Sequence, residues 1–156
     1  MKTTVKVKSY EEALSVANLK HKKPIKPFFI MQTLIRVLSF FTLLPLGFKY
    51  KKLGMDKIGK KEPCLILMNH SSFTDMKLAF GIFYPRRMGI VTSVDAMSGF
   101  LGKLMRILGC TPTRKYVSDI SLIRDIKYML KENKTSVLMY PEAGYSFDGC
   151  ATAIPK

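Results

Sequence analysis

The sequence predicts an α/β domain with a mostly parallel sheet flanked by helices, preceded by an N-terminal helix of membrane-associated character. Two observations carry that prediction. From Cys64 onward, short apolar runs alternate with segments whose apolar residues recur at helical spacing. Ahead of them lies one long apolar stretch, residues 28–48, with lysines crowding both flanks (Lys22, Lys23, Lys26, then Lys49, Lys51, Lys52).

The N-terminal part, residues 1–61, reads as a basic region around that stretch, and residues 62–156 as the α/β domain. The two parts differ in charge, with 14 Lys and Arg against 3 acids in the first and 12 against 8 in the second. A net charge of +15 seeks anionic partners: nucleic acid, anionic lipid or a phosphorylated substrate. Basic residues packed around the most apolar segment point to a membrane surface, although a solvated basic face has the same composition. The sequence carries no helix-turn-helix signature, no zinc knuckle and no interleaved aromatic and basic motif, so nucleic acid is not an expected partner. Cys64, Cys110 and Cys150 are odd in number and far apart, which suits reduced thiols and no structural zinc.

Residues 10–20 suggest a short helix that the run Lys20-His21-Lys22-Lys23-Pro24 breaks. The late apolar stretch with no small-residue cleavage site is not a signal peptide. As a helix, residues 28–48 reach roughly 30 Å. Gln32, Arg36 and Ser39 mark a narrow polar stripe along it. Three placements follow: embedded in one leaflet, spanning the bilayer, or buried in the core. An arginine at mid-span disfavours the second.

Residues 64–69 (CLILMN) read as a buried strand, bounded by Pro63 and a polar cluster. Ser71 or Ser72 caps a helix running to about Tyr84. Residues 87–93 (RMGIVTS) read as a second strand, and residues 96–108 as a helix weakened by Gly99 and Gly102. Ser118 caps a further helix to about Glu132, and residues 135–140 (TSVLMY) form the third strand.

Three segments carry the chemistry. In Asn69-His70-Ser71-Ser72-Phe73-Thr74-Asp75 a histidine leaves a strand end and a carboxylate follows five positions later. Strand C-terminal ends are where α/β sheets host sites, and an Asp beside a His can fix its tautomer and stabilise the imidazolium. The same spacing also occurs by chance, with Asp75 as a simple helix cap. The second segment, Tyr140 to Gly149, places Glu142, Gly144 and Ser146 on one loop after a strand, as an ordinary turn also would. The third, Gly109 to Lys115, reads as a turn ending in Arg114, able to fork onto a phosphate, and Lys115, a point charge. A solvated basic loop reads the same way.

Taken together, the three segments resemble the glycerolipid acyltransferase family that includes lysophosphatidic acid acyltransferases. Asn69, His70 and Asp75 match that family's N-H-x-x-x-x-D block. Gly109 with Arg114 or Lys115 loosely matches G-x-x-F-I-x-R, and Pro141, Glu142 and Ser146 match F-P-E-G-T-R-S with Tyr140 in place of Phe. The resemblance covers residues 64–149 and implies transfer of an acyl chain from an acyl-CoA or acyl carrier protein thioester to a hydroxyl of a glycerophospholipid precursor such as lysophosphatidic acid. It implies His70 as general base and Asp75 as its orienting partner. It further implies Arg114 or Lys115 on the acceptor phosphate, and Glu142 and Ser146 shaping the acceptor pocket. No metal or further cofactor is expected, and Ser71 has no nucleophile role. Membrane lipid, a lysophospholipid acceptor and the thioester donor are the implied partners, at a membrane with the site facing the cytoplasm. Two departures qualify this. Gly-Thr-Arg becomes Ala143-Gly144-Tyr145, losing the arginine associated with acceptor phosphate, and the chain ends seven residues after Gly149, where relatives continue. The resemblance thus implies a C-terminally truncated chain, and the alternative is a non-catalytic remnant that binds anionic lipid.

Overall fold

Strands β1 (Leu65–Leu67), β2 (Met88–Ser93), β3 (Thr111–Thr113) and β4 (Ser136–Met139) lie parallel in one sheet, in the order β1-β4-β2-β3. The computed structural model describes residues 21–72, 74–97, 99–114, 119–142, 144–146 and 150. The short helix expected over residues 10–20 lies outside them. Register is set by Leu65↔Val137 between β1 and β4, by Met88↔Ser136 between β2 and β4, and by Val91↔Thr111 between β2 and β3. Helices α1 (Phe29–Leu43), α2 (Thr74–Ile82), α3 (Gly99–Ile107) and α4 (Ile120–Lys131) complete the fold. The expected α/β architecture with a parallel sheet is the one observed.

The inner strands are buried on both faces, as parallel strands under helices must be; Val137 and Leu138 on β4 are fully inaccessible. On one face Ile66, Ile90 and Leu138 pack with Ala79 and Phe80 of α2, with Met31 and Ile35 of α1 at the margin. On the other, Val91 and Val137 pack with Leu122 and Met129 of α4. Burying such a side chain contributes roughly 1.5–3 kcal/mol.

One strand departs from the sequence reading. Residues 111–113 (TPT) read as a turn, yet they form the edge strand β3. A proline lacks the N–H a central strand needs, and an edge tolerates it. Helix α4 is capped by Asp119, whose carboxylate accepts from the Ser121 and Leu122 N–H groups; the expected cap, Ser118, lies outside the described residues.

Helix α1 is shorter than residues 28–48 suggested. It ends at Leu43, where a 3-10 turn containing Pro45 takes over, so its 15 residues reach about 22 Å. Among the described residues no helix is long and apolar enough to cross a membrane. Its polar stripe faces the protein. Gln32, Arg36 and Ser39 are its buried residues, while Ile30, Leu34, Val37, Leu38, Phe40 and Phe41 are exposed. The Gln32 amide donates to the carbonyls of Met88 and Leu108 and accepts from the Met88 N–H, and Arg36 donates to the Arg86 carbonyl. These carbonyls lie at the N-terminal ends of β2 and β3, so the stripe docks α1 at that end of the sheet. The segment before α1 is held as well. Phe28 N–H donates to Ile107 O at 3.1 Å, Arg106 donates to Lys23 O at 2.9 Å, and Pro27 packs against Gly109.

Candidate functional site

The site forms at the opposite end of the sheet, past the C-terminal ends of β1 and β4. These strands are hydrogen-bonded neighbours, so the residues that follow them emerge side by side. His70 follows β1 and Tyr140 follows β4. Main-chain bonds continue the pairing beyond the strands: Met68 N–H donates to Met139 O at 3.1 Å, and Ser146 N–H donates to His70 O at 2.7 Å. The loops bearing the first and second sequence segments are therefore stitched together.

Helix α2 begins at the site. Ser72 Oγ accepts from the Thr74 N–H at 3.1 Å, the expected capping role. This start brings Asp75 back toward the loop. Its Oδ2 accepts from Ser71 N–H at 2.7 Å, from Ser72 N–H at 2.9 Å and from His70 Nδ1 at 3.1 Å. Burial alone would raise the Asp75 carboxyl, but the Ser72 and Ser71 N–H groups and His70 hold it below the usual carboxylate range. An ionised carboxylate only accepts, so Nδ1 carries the hydrogen and the Nε2 lone pair is left for a substrate.

Two tyrosines lie against the imidazole. The Tyr140 ring stacks on it at 4.0 Å and 22°, and the Tyr145 ring lies tilted against it at 4.3 Å and 40°. The Tyr140 hydroxyl is buried without a hydrogen-bond partner among the described residues. Burial, then the nearby Asp75 charge and Tyr145, push its pKa above the ordinary phenol value, so it stays protonated.

The remaining predicted residues are placed unevenly. Glu142 lies partly buried in the turn after Pro141, and Ser146 is buried beside the His70 main chain. Arg114 follows β3 on the far edge of the sheet, with β4 and β2 in between, so about 14 Å of sheet separates its strand from that of His70. It is exposed, and its N–H donates to Asp119 at 3.3 Å. Arg114 thus shares the rim with His70 without sharing its immediate surroundings. Lys115 lies outside the described residues. Among the described residues, no group of three His, Cys, Asp or Glu is placed to hold a metal ion. Sequence reasoning missed the stacking tyrosines. It noted Tyr140 and Tyr145 as departures from a motif, and their only earlier signal was that both flank a carboxylate on a loop beside the histidine.

A sequence model of acyltransferases matches residues 49–152, about two thirds of the chain, and the His70–Asp75 pair and both stacking tyrosines fall within that span. The chain belongs to the acyltransferase family. No curated protein and no solved structure matches it. The acyltransferase has a general acyl-transfer function, and membership implies lipid and acyl-donor substrates in general terms. The matched span begins at Lys49, so α1 and its 3-10 extension lie outside it.

Proposed function

We propose that the protein is an O-acyltransferase of the 1-acylglycerol-3-phosphate type, moving a fatty acyl group from a coenzyme A or acyl carrier protein thioester to a glycerophospholipid precursor. The observation that carries this reading is the His70 Nδ1–Asp75 Oδ2 contact of 3.1 Å at a strand end, which leaves Nε2 as the ring's acceptor. His70 Nε2 takes the proton of the acceptor hydroxyl as that oxygen bonds to the thioester carbonyl carbon. The C–S bond then breaks, and the proton passes from His70 to the departing thiolate. Asp75 keeps the tautomer and stabilises the transient imidazolium. Glu142 and Ser146 shape the acceptor pocket. Arg114, which follows the edge strand on the same rim, or Lys115 meets the acceptor phosphate.

The reading extends to the membrane. Helix α1 directs its polar stripe into the protein and its phenylalanines and leucines outward, the reverse of a helix on a water-exposed surface. Such a helix lies in one leaflet, with the flanking lysines meeting anionic headgroups at on the order of 1 kcal/mol each. Acyl chains and lysolipids then reach the enzyme without full transfer into water, which would cost about 0.8 kcal/mol per CH₂.

The test is thiol release from a long-chain acyl-CoA and from an acyl carrier thioester, with lysophosphatidic acid in detergent micelles, for wild type and His70→Ala. Acceptor-dependent release that vanishes in the variant is expected. Release that survives in His70→Ala, or no release from wild type with either donor, overturns the proposal.

A further inference from the structure

We propose that Tyr145 and Tyr140 are positioning residues for His70, fixing the plane of its imidazole by stacking so that Nε2 alone faces the substrate. The inference rests on the acyl-transfer reading for its catalytic consequence, though not for the geometry.

A general base must hold its lone pair near the line of the proton it removes, and small errors of aim lose much of the rate. The Asp75 contact at 3.1 Å fixes one atom of the ring, Nδ1. A single hydrogen bond leaves the ring free to swing about it. One ring stacked at 4.0 Å and a second tilted against it at 4.3 Å restrict that freedom. Their electron-rich faces also favour the imidazolium that forms as the proton arrives.

The main chain dictates both placements. Tyr140 is the first residue after β4, whose register with β1 is Leu67↔Met139, so its ring is delivered beside the residues that leave β1. Tyr145 immediately precedes Ser146, whose N–H is bound to the His70 carbonyl at 2.7 Å. The two tyrosines differ in setting. Tyr140 is partly buried with an enclosed hydroxyl, whereas Tyr145 is 46% exposed, so it forms the outer cover of the ring and can be changed without opening the core.

The experiment uses the full chain. It contains only two histidines, His21 and His70, so histidine-labelled protein gives two sets of ring signals, and His21→Gln assigns them. Stacked tyrosines shield the His70 ring protons and move their signals upfield. Tyr145→Phe keeps the ring and loses the hydroxyl, while Tyr145→Leu loses the ring. We expect Tyr145→Phe to retain the upfield position and near-wild-type kcat. Tyr145→Leu is expected to move the His70 signals downfield and to lower kcat by at least about tenfold with little change in acceptor KM. The proposal is overturned if the His70 signals stay in place in Tyr145→Leu, or if Tyr145→Phe loses as much rate as Tyr145→Leu. A raised KM with unchanged kcat also overturns it, because it would make Tyr145 a substrate contact. The spectra need no turnover. A wild type that releases no thiol yet shows the downfield movement in Tyr145→Leu would sink the acyl-transfer reading and leave the stacking intact.

Discussion

The backbone N–H of Ser146 donates to the carbonyl of His70 at 2.7 Å, so a main-chain bond joins the loops after β4 and β1. The Ser146 side chain plays no part in that bond. Ser146→Pro removes the donor, and we expect it to lower acyl transfer about tenfold or more below Ser146→Ala, which retains it. Comparing the two variants by thiol release, with circular dichroism to confirm folding, checks the claim. Equal activity in the pair would mean that the main-chain link is incidental.

Asp75 gives a prediction with a defined direction in pH. Its carboxyl is held below the ordinary value despite burial, because Ser72 and Ser71 N–H groups and His70 all favour the charged form. A depressed carboxyl contributes stability that is complete above the unfolded value, about 3.9, and is lost as pH falls through the folded value. Asp75→Asn lacks this contribution. The urea midpoint of wild type should therefore exceed that of Asp75→Asn near neutrality, and the two should converge as the pH drops below about 4. A gap that stays constant down to about pH 2 would contradict the assignment. In turnover, Asp75→Asn should lose on the order of a hundredfold in kcat or more, as expected when a general base loses its orienting partner.

Much of this arrangement was legible before any coordinates, and the exceptions are instructive. The inner strands 88–93 and 136–139 announce themselves as apolar runs because they are paired on both sides and covered by helices. The edge strand 65–67 announces itself as an apolar run too, although Leu65 and Leu67 are exposed. Strand β3 does not. Its three residues carry no alternation and include Pro112, and it is a strand only because β2 offers it an edge. Reading it as a turn made Arg114 look like a loop cation beside the site, whereas the strand order sets it at the opposite edge of the sheet. The stripe Gln32–Arg36–Ser39 is visible as a spacing, but the direction it faces depends on the Met88, Leu108 and Arg86 carbonyls it meets, which no local pattern encodes. The tyrosine stacking depends in the same way on strand register and one loop hydrogen bond.

Gly109 ties the N-terminal segment to the domain. Its φ is +88°, and a Cβ there would meet Pro27 Cγ at 2.4 Å. Left-handed backbone strain and overlap with a rigid ring act together, so Gly109→Ala should destabilise the fold by about 1–3 kcal/mol. Equilibrium urea unfolding measures this directly, and an unchanged midpoint would show that Pro27 is free to move aside.

The outer face of α1 should govern membrane binding without governing stability. Leu34, Leu38 and Phe41 are 51%, 57% and 64% exposed, so replacing them with serine removes little packing. We expect the triple variant to keep its unfolding midpoint to within roughly 1 kcal/mol of wild type and to lose sedimentation with vesicles containing anionic lipid. Retained sedimentation would shift the membrane contact from α1 to the lysine-rich flanks.

The inner face leads to the opposite expectation, and it separates a docked helix from a bilayer span. Gln32 is fully buried and answers three backbone groups: the carbonyls of Met88 and Leu108 and the N–H of Met88. In a helix surrounded by lipid, Gln32→Leu would be favourable, since it removes a polar group from hydrocarbon. In the docked helix it leaves those backbone groups unanswered at the start of β2 and before β3, each an unsatisfied buried group costing about 1–3 kcal/mol. We therefore expect Gln32→Leu, the more apolar protein, to be less stable by about 3 kcal/mol or more. Its urea midpoint in neutral detergent decides the matter, because a gain in stability would mean that the stripe does not face the sheet.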